Sequence, residues 1–105
     1  MKYQIDVQDD KCEAKLSEKI TFSDLNGFRE IIKQMLDSHA ENNIVDFSDV
    51  DFIDSAGLGM LLLTRNEIAK TDSRLTLKAP QGQVQRMFNV ARFDQTFHIE
   101  EGPRK

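Results

Sequence analysis

Ile44-Val45-Asp46-Phe47-Ser48-Asp49-Val50-Asp51-Phe52-Ile53-Asp54-Ser55-Ala56-Gly57-Leu58-Gly59-Met60-Leu61-Leu62-Leu63 carries one secondary-structure pattern directly into another. Ile44 to Phe47 is a short apolar run of the kind that lies in the middle of a parallel sheet, covered on both sides. From about Ser55 to Lys70 the composition is helical and leucine-rich. A buried strand that feeds straight into a helix is the unit from which α/β domains are built. The junction puts one hydroxyl, Ser55, at the mouth of the helix, beside an acid, Asp54, and two glycines, Gly57 and Gly59. Serine is a favoured helix cap because its oxygen accepts from amides that the helix leaves unpaired. The same positive helix end accommodates a dianionic phosphate. The segment therefore reads as a switch as well as a fold determinant.

Outward from this junction the patterns are regular. Tyr3, Ile5 and Val7 alternate with polar residues, as do Cys12, Ala14 and Leu16, and Asp9-Asp10-Lys11 supplies a turn between them, so a hairpin is expected first. Leu25, Phe28, Ile32, Met35 and Leu36 recur at spacings of three and four, one buried face of a helix that Ser23 is placed to cap. Arg74 to Ala79 alternates as a strand that Pro80 stops; Val84, Met87, Phe88 and Ala91 mark a third helix, and Phe97 to Ile99 a last strand. The expected class is α/β, in the order β-β-α-β-α-β-α-β: a mixed sheet with helices packed on it, one domain over 1–101 and a tail over 102–105.

Composition narrows the function. The 105 residues suffice for one domain with one core. Net charge is -4, and Lys33, Arg65, Lys78, Arg86 and Arg92 are dispersed among acids. Nucleic-acid binding draws its affinity from clustered cations, so direct contact with DNA or RNA is not expected. No apolar run approaches the roughly 20 residues of a membrane span, and the first residues lack an apolar signal core. The single Cys12 allows no internal disulfide. A cytoplasmic setting without cofactor or metal is the expectation.

The stretch Ile44 to Leu63, with Asp54-Ser55-Ala56-Gly57-Leu58-Gly59 at its centre, resembles the STAS domain of bacterial anti-sigma factor antagonists. The likeness continues through Arg74-Leu75-Thr76-Leu77, Val84 to Phe88 and Phe93 to Ile99, while the first 40 residues match in pattern only. The resemblance implies that Ser55 corresponds to the serine phosphorylated by a cognate anti-sigma kinase. It implies further that the unmodified protein binds that partner, and that a serine phosphatase restores binding. One departure stands out. The family often ends its second strand with Gly-x-Leu-Asp, where this chain has Glu18-Lys19-Ile20-Thr21, so Thr21 replaces the acid. STAS modules also serve as fixed subunits of transporters and lipid-trafficking complexes, which is the alternative reading.

The residues themselves weigh on this. No nucleophile elbow surrounds Ser55, and neither His39 nor His98 is spaced for a triad, so Ser55 is cast as a substrate and no catalytic residue is assigned. The competing role for Ser55 is simple capping, worth roughly 0.5 to 2 kcal/mol. Gly57 and Gly59 weaken a helix by roughly 1 kcal/mol each against alanine, which calls for close approach by a partner or, at Gly57, by the sheet. At about 100° per residue, Leu58, Leu61, Leu62, Ile68 and Ala69 are expected to face the sheet, with Arg65 snorkelling out from among them. Ala56, Gly59, Met60 and Leu63 then fall outside, next to Ser55. Together with Asp54 and Gly57 they form the expected partner-binding surface; scattered surface residues, or cover by the first helix, are the alternatives. Thr21 and Ser23 are candidates for contact with a kinase or its nucleotide, against plain capping of the first helix. Asp46, Asp49, Asp51 and Asp54 faintly suggest a phospho-acceptor receiver with Mg²⁺, but the opening hairpin and short chain point instead to turn and cap roles. Cys12 is expected in the core, and His39 at a helix C-terminus.

Overall fold

A computed structural model describes residues 1–102, and in it the two opening alternations pair as an antiparallel hairpin of β1 (Lys2–Gln8) and β2 (Lys11–Ile20). Asp9 enters the turn at a φ of 51°, a left-handed conformation that aspartate tolerates. A short 3-10 turn, Phe22–Asp24, leads into α1 (Leu25–Ser38), which buries Phe28, Ile31, Ile32 and Met35. His39 ends that helix in a left-handed conformation, its N–H donating to the Leu36 carbonyl at 3.3 Å. Then follow β3 (Asn42–Ile53), α2 (Ser55–Ala69), β4 (Arg74–Lys78), α3 (Gly82–Val90), a single turn α4 (Phe93–Thr96) and β5 (His98–Glu100).

The five strands form one mixed sheet in the order β1-β2-β3-β4-β5, antiparallel at the first pair and parallel at the rest. Cys12, Ala14, Leu16, Val45, Phe47 and Leu77 project from its covered face and are fully buried. Phe47, Phe88, Phe93 and Phe97 stack in series at centroid distances of 5.2, 5.1 and 4.6 Å, binding α3 and α4 to the end of the sheet. The spacing of four between Phe93 and Phe97 is helical, which is why α4 precedes the last strand and that strand begins at His98 rather than Phe97. Apart from Gly102, which packs on Ala79, the expected tail 102–105 lies outside the described residues.

The central strand is three times the length that the apolar run indicates. It continues past Phe47 along β2, with Asp49, Val50, Phe52 and Ile53 opposite Ser17, Glu18, Lys19 and Ile20. Two register shifts interrupt the pairing, and Asp46 accepts from the Ser48 N–H at 2.8 Å. These irregularities erase the two-residue period after Phe47, so sequence alone shows a strand that stops there. One shift falls at Glu18, held at a φ of 71°. A non-glycine residue pays roughly 1–2 kcal/mol for that conformation. Glu18 is also the residue that stands where the Gly-x-Leu-Asp pattern begins with glycine. Glu18→Gly is expected to raise stability by up to about 1 kcal/mol, after the added freedom of the unfolded glycine is subtracted; urea unfolding of the two proteins measures it.

Candidate functional site

Strands β2 and β3 end side by side, with Ile20 opposite Ile53 and the Asp54 N–H donating to the Ile20 carbonyl at 3.1 Å. Thr21 and Asp54 therefore leave the sheet as neighbours. Asp54, in extended conformation, is the residue that caps α2: its Oδ1 accepts from the Gly57 N–H at 2.8 Å, and its carbonyl from the Leu58 N–H at 3.1 Å. The competing role for Ser55, capping of the helix, is taken by Asp54 in this geometry. Aspartate and serine are comparable caps, and the extended turn falls one residue earlier. Ser55 is the first helical residue, exposed, and its hydroxyl has no hydrogen-bonding partner among the described residues.

The two glycines behave differently. A Cβ on Gly57 would lie 2.6 Å from Ile53 Cγ1 and 3.0 Å from Ile20 Cγ2, so this glycine lets α2 sit flush on the two strand ends. Gly57 is buried and belongs to the fold, not to a free surface. A Cβ on Gly59 would meet nothing within 4 Å. No packing requirement accounts for Gly59, and it leaves a bare stretch one turn beyond Ser55.

The helical face differs from the one expected. Gly57, Met60, Leu61, Thr64 and Ile68 are buried, and Met60 is only 6% exposed, so Met60 is withdrawn from the partner surface. Leu62 and Ala69, expected against the sheet, are on the outside. The reason is physical: α2 carries apolar residues around its whole circumference, and its buried stripe is centred on a glycine and a threonine, whose Oγ1 returns its hydrogen to the Met60 carbonyl at 2.8 Å. Ser55, Ala56, Gly59, Leu62 and Leu63 remain exposed. Leu62 and Leu63 are each 38% exposed. Leu63 also lines a cleft of about 380 Å³ between α1 and α2, with Ile32 and Leu36, so the first helix does cover it in part. Arg65 is outside as expected, its Nε donating to the Thr96 carbonyl at 3.1 Å.

Thr21 and Ser23 stand beside this junction, their hydroxyls 2.9 Å apart. The Thr21 N–H donates to Asp24 Oδ2 at 2.8 Å. Asp24, not Ser23, occupies the cap position of α1. Between them Phe22 is 77% exposed, the large aromatic that the sequence reading overlooked because its helical pattern began at Leu25. Also overlooked were Gln81 and Gln83, whose side chains bind the end of β3. The aspartates have separate local roles: Asp46 accepts from the Ser48 N–H within β3, Asp49 lies 3.3 Å from Lys15 Nζ, and Asp54 is the cap. Among the described residues no three His, Cys, Asp or Glu side chains gather as metal ligands would. Cys12 is wholly buried; desolvation pushes its thiol pKa up, the nearby Asp6 adds to the rise, and a hydrogen bond with Ser38 opposes it. No helix among the described residues is long and apolar enough to cross a membrane.

The STAS domain family model matches residues 2–104. The anti-sigma-B factor antagonist of Staphylococcus aureus is 22% identical over 95 residues, covering 90% of this chain and 88% of that protein. The crystal structure of a putative anti-sigma factor antagonist from Thermotoga maritima superposes with a TM-score of 0.84 at 19% identity, covering 95% of this chain and 86% of the other. The Bacillus cell fate determinant SpoIIAA in its phosphorylated form superposes with a TM-score of 0.74 at 17% identity, covering 98% and 93%.

The geometry separates the neighbours of Ser55 by what they do for stability. Asp54→Ala is expected to lose about 0.5–2 kcal/mol with the cap, whereas Ser55→Ala stays within about 0.5 kcal/mol of the parent. Gly57→Ala is destabilising through the clash with Ile53 and Ile20, by about 1–3 kcal/mol. Gly59→Ala, in open space, gains up to about 1 kcal/mol. Chemical denaturation of the four variants orders them; a Gly59→Ala protein less stable than the parent contradicts the open-space assignment.

Proposed function

We propose a function for this chain as a member of the STAS domain family, to which it belongs: it acts as an anti-sigma factor antagonist-like signalling protein. It binds a regulatory protein partner, an anti-sigma factor or serine kinase, through the exposed surface at the start of α2. Phosphorylation of Ser55 switches that binding off, and a serine phosphatase switches it on again. The protein works in the cytoplasm, without cofactor or metal, without touching nucleic acid and without catalysing a reaction itself.

One observation carries this reading: the Ser55 hydroxyl is exposed and idle, because Asp54 performs the capping. A kinase therefore takes nothing from the fold when it modifies Ser55. The phosphate adds about -1.5 to -2 charges and three strong acceptors. The helix end offsets part of that charge, but the Gly57 amide is already committed to Asp54, whose own carboxylate repels the newcomer. The result is a strong local negative charge beside exposed Gly59 and Leu62 and near the 3-10 turn that bears Phe22. An apolar contact surface closed around that point loses its partner by desolvation and repulsion. The similarity to the anti-sigma-B factor antagonist of Staphylococcus aureus supports the antagonist role.

Ala56, Gly59, Leu62 and Leu63 keep the partner surface on α2, Asp54 borders it, and Met60 and Gly57 act from beneath. Thr21 and Ser23 belong to its edge, where contact with the kinase or its nucleotide is proposed.

The test uses a purified serine kinase of the anti-sigma factor class. Incubation with ATP is expected to add one phosphate to the wild type and none to Ser55→Ala by intact mass. In calorimetric titration of that kinase, Ser55→Ala retains wild-type affinity within about threefold, while Ser55→Asp weakens it at least about tenfold, or 1.4 kcal/mol. Equal affinity for both variants overturns the switch in favour of a constitutive subunit of a transporter or lipid-trafficking complex.

A further inference from the structure

We propose that Gln83 is a positioning residue for Ser55: its side-chain amide stands in for an absent strand and fixes the backbone corner from which the serine is presented. The inference rests on Ser55 being the modified residue.

Strands β3 and β4 differ in length. β4 accompanies β3 only from Asn42 opposite Arg74 to Asp46 opposite Lys78. Beyond that point β3 runs on to Ile53 with β2 on one side and no strand on the other. Ile53 is fully buried, so its peptide groups need partners within the protein. They find them in one side chain. The Ile53 N–H donates to Gln83 Oε1 at 2.9 Å, and Gln83 Nε2 donates to the Ile53 carbonyl at 2.9 Å. Donor and acceptor are met as a neighbouring strand would meet them. Gln81 extends the latch, its Nε2 donating to the Val50 carbonyl at 2.8 Å.

Position gives this pairing its consequence. Ile53 precedes the cap Asp54 by one residue and Ser55 by two. The Asp54 N–H is held from the opposite side by Ile20. The corner is thus clamped between β2 and the first turn of α3, and the orientation of the Ser55 hydroxyl follows from the clamp. Transfer of a phosphoryl group demands alignment of the attacking oxygen, and a misplacement of about 1 Å lowers such rates by as much as about 10²-fold. The neutral amide supplies both halves of the pairing, with donor and acceptor on one planar group. A carboxylate accepts but does not donate, and methionine does neither.

The experiment compares phosphorylation kinetics, with the same kinase and ATP, of wild type, Gln83→Met, Gln83→Glu and a packing control, Leu77→Ala, which removes a buried side chain away from the junction. Gln83→Met, close in volume, is expected to lower kcat at least about tenfold with KM within about twofold, because the docking surface on α2 is intact while the hydroxyl is misaligned. Gln83→Glu is expected to fall in the same direction, which keeps the test open if the methionine variant does not fold. Leu77→Ala is expected to lower stability while leaving kcat within about twofold at a temperature where it is folded. Amide hydrogen exchange at Ile53 is expected to quicken in both Gln83 variants and not in Leu77→Ala. Wild-type kcat in Gln83→Met or Gln83→Glu overturns the positioning role and leaves the reading of Ser55 intact. A wild-type chain that accepts no phosphate overturns both.

Discussion

The hydrogen bond from the Gly57 N–H to the Asp54 carboxylate settles the division of labour at the start of α2. Had the helix begun one residue later, Ser55 would have been the cap, its oxygen occupied and its loss felt as instability. With aspartate in that role, the neighbouring hydroxyl has no structural duty and stands in solvent. The rest of the site follows from the same corner. Asp54 is placed by the parallel ends of β2 and β3, those ends are brought together by the pairing of Ile20 with Ile53, and α2 descends onto them through the gap that Gly57 leaves.

Much of the architecture is visible in the residue order. The hairpin, the three principal helices and the central parallel position of the Ile44 to Phe47 run all follow from periodicity, because each element has one face in the core. What escaped is irregular. The second half of β3 carries two exposed residues in succession, Ser48 and Asp49, and again Asp51 and Phe52, a pattern that belongs to neither a regular strand nor a helix. Its pairing with β2 tolerates that only through shifts of register. The partner of its other edge is a pair of glutamine side chains some 30 residues away, and no local pattern announces such a contact.

At the site, legibility ended where the helix stopped being amphipathic. Choosing the buried side of α2 by its leucines rotates the helix away from its true seat, since Gly57 and Thr64 lie at the centre of the contact and Leu62 outside it. Small residues are where a helix approaches most closely, and a count of hydrophobic side chains passes over them. The same habit hid Phe22, which belongs to neither of the periodic segments around it and lies in a 3-10 turn. The motif itself, by contrast, survives intact: acid, serine and two glycines are at the junction, with their roles exchanged.

The depth at which α2 rests has a consequence for how information leaves this molecule. With 2.6 Å separating the imagined Cβ of Gly57 from Ile53, the helix is already in contact along its underside and has no slack in which to shift. A modification on the outward side of such a bolted rod does not travel inward. Under the proposed function the domain is then a signpost rather than a lever: two forms of nearly one shape, told apart only by a reader whose own surface touches the altered spot.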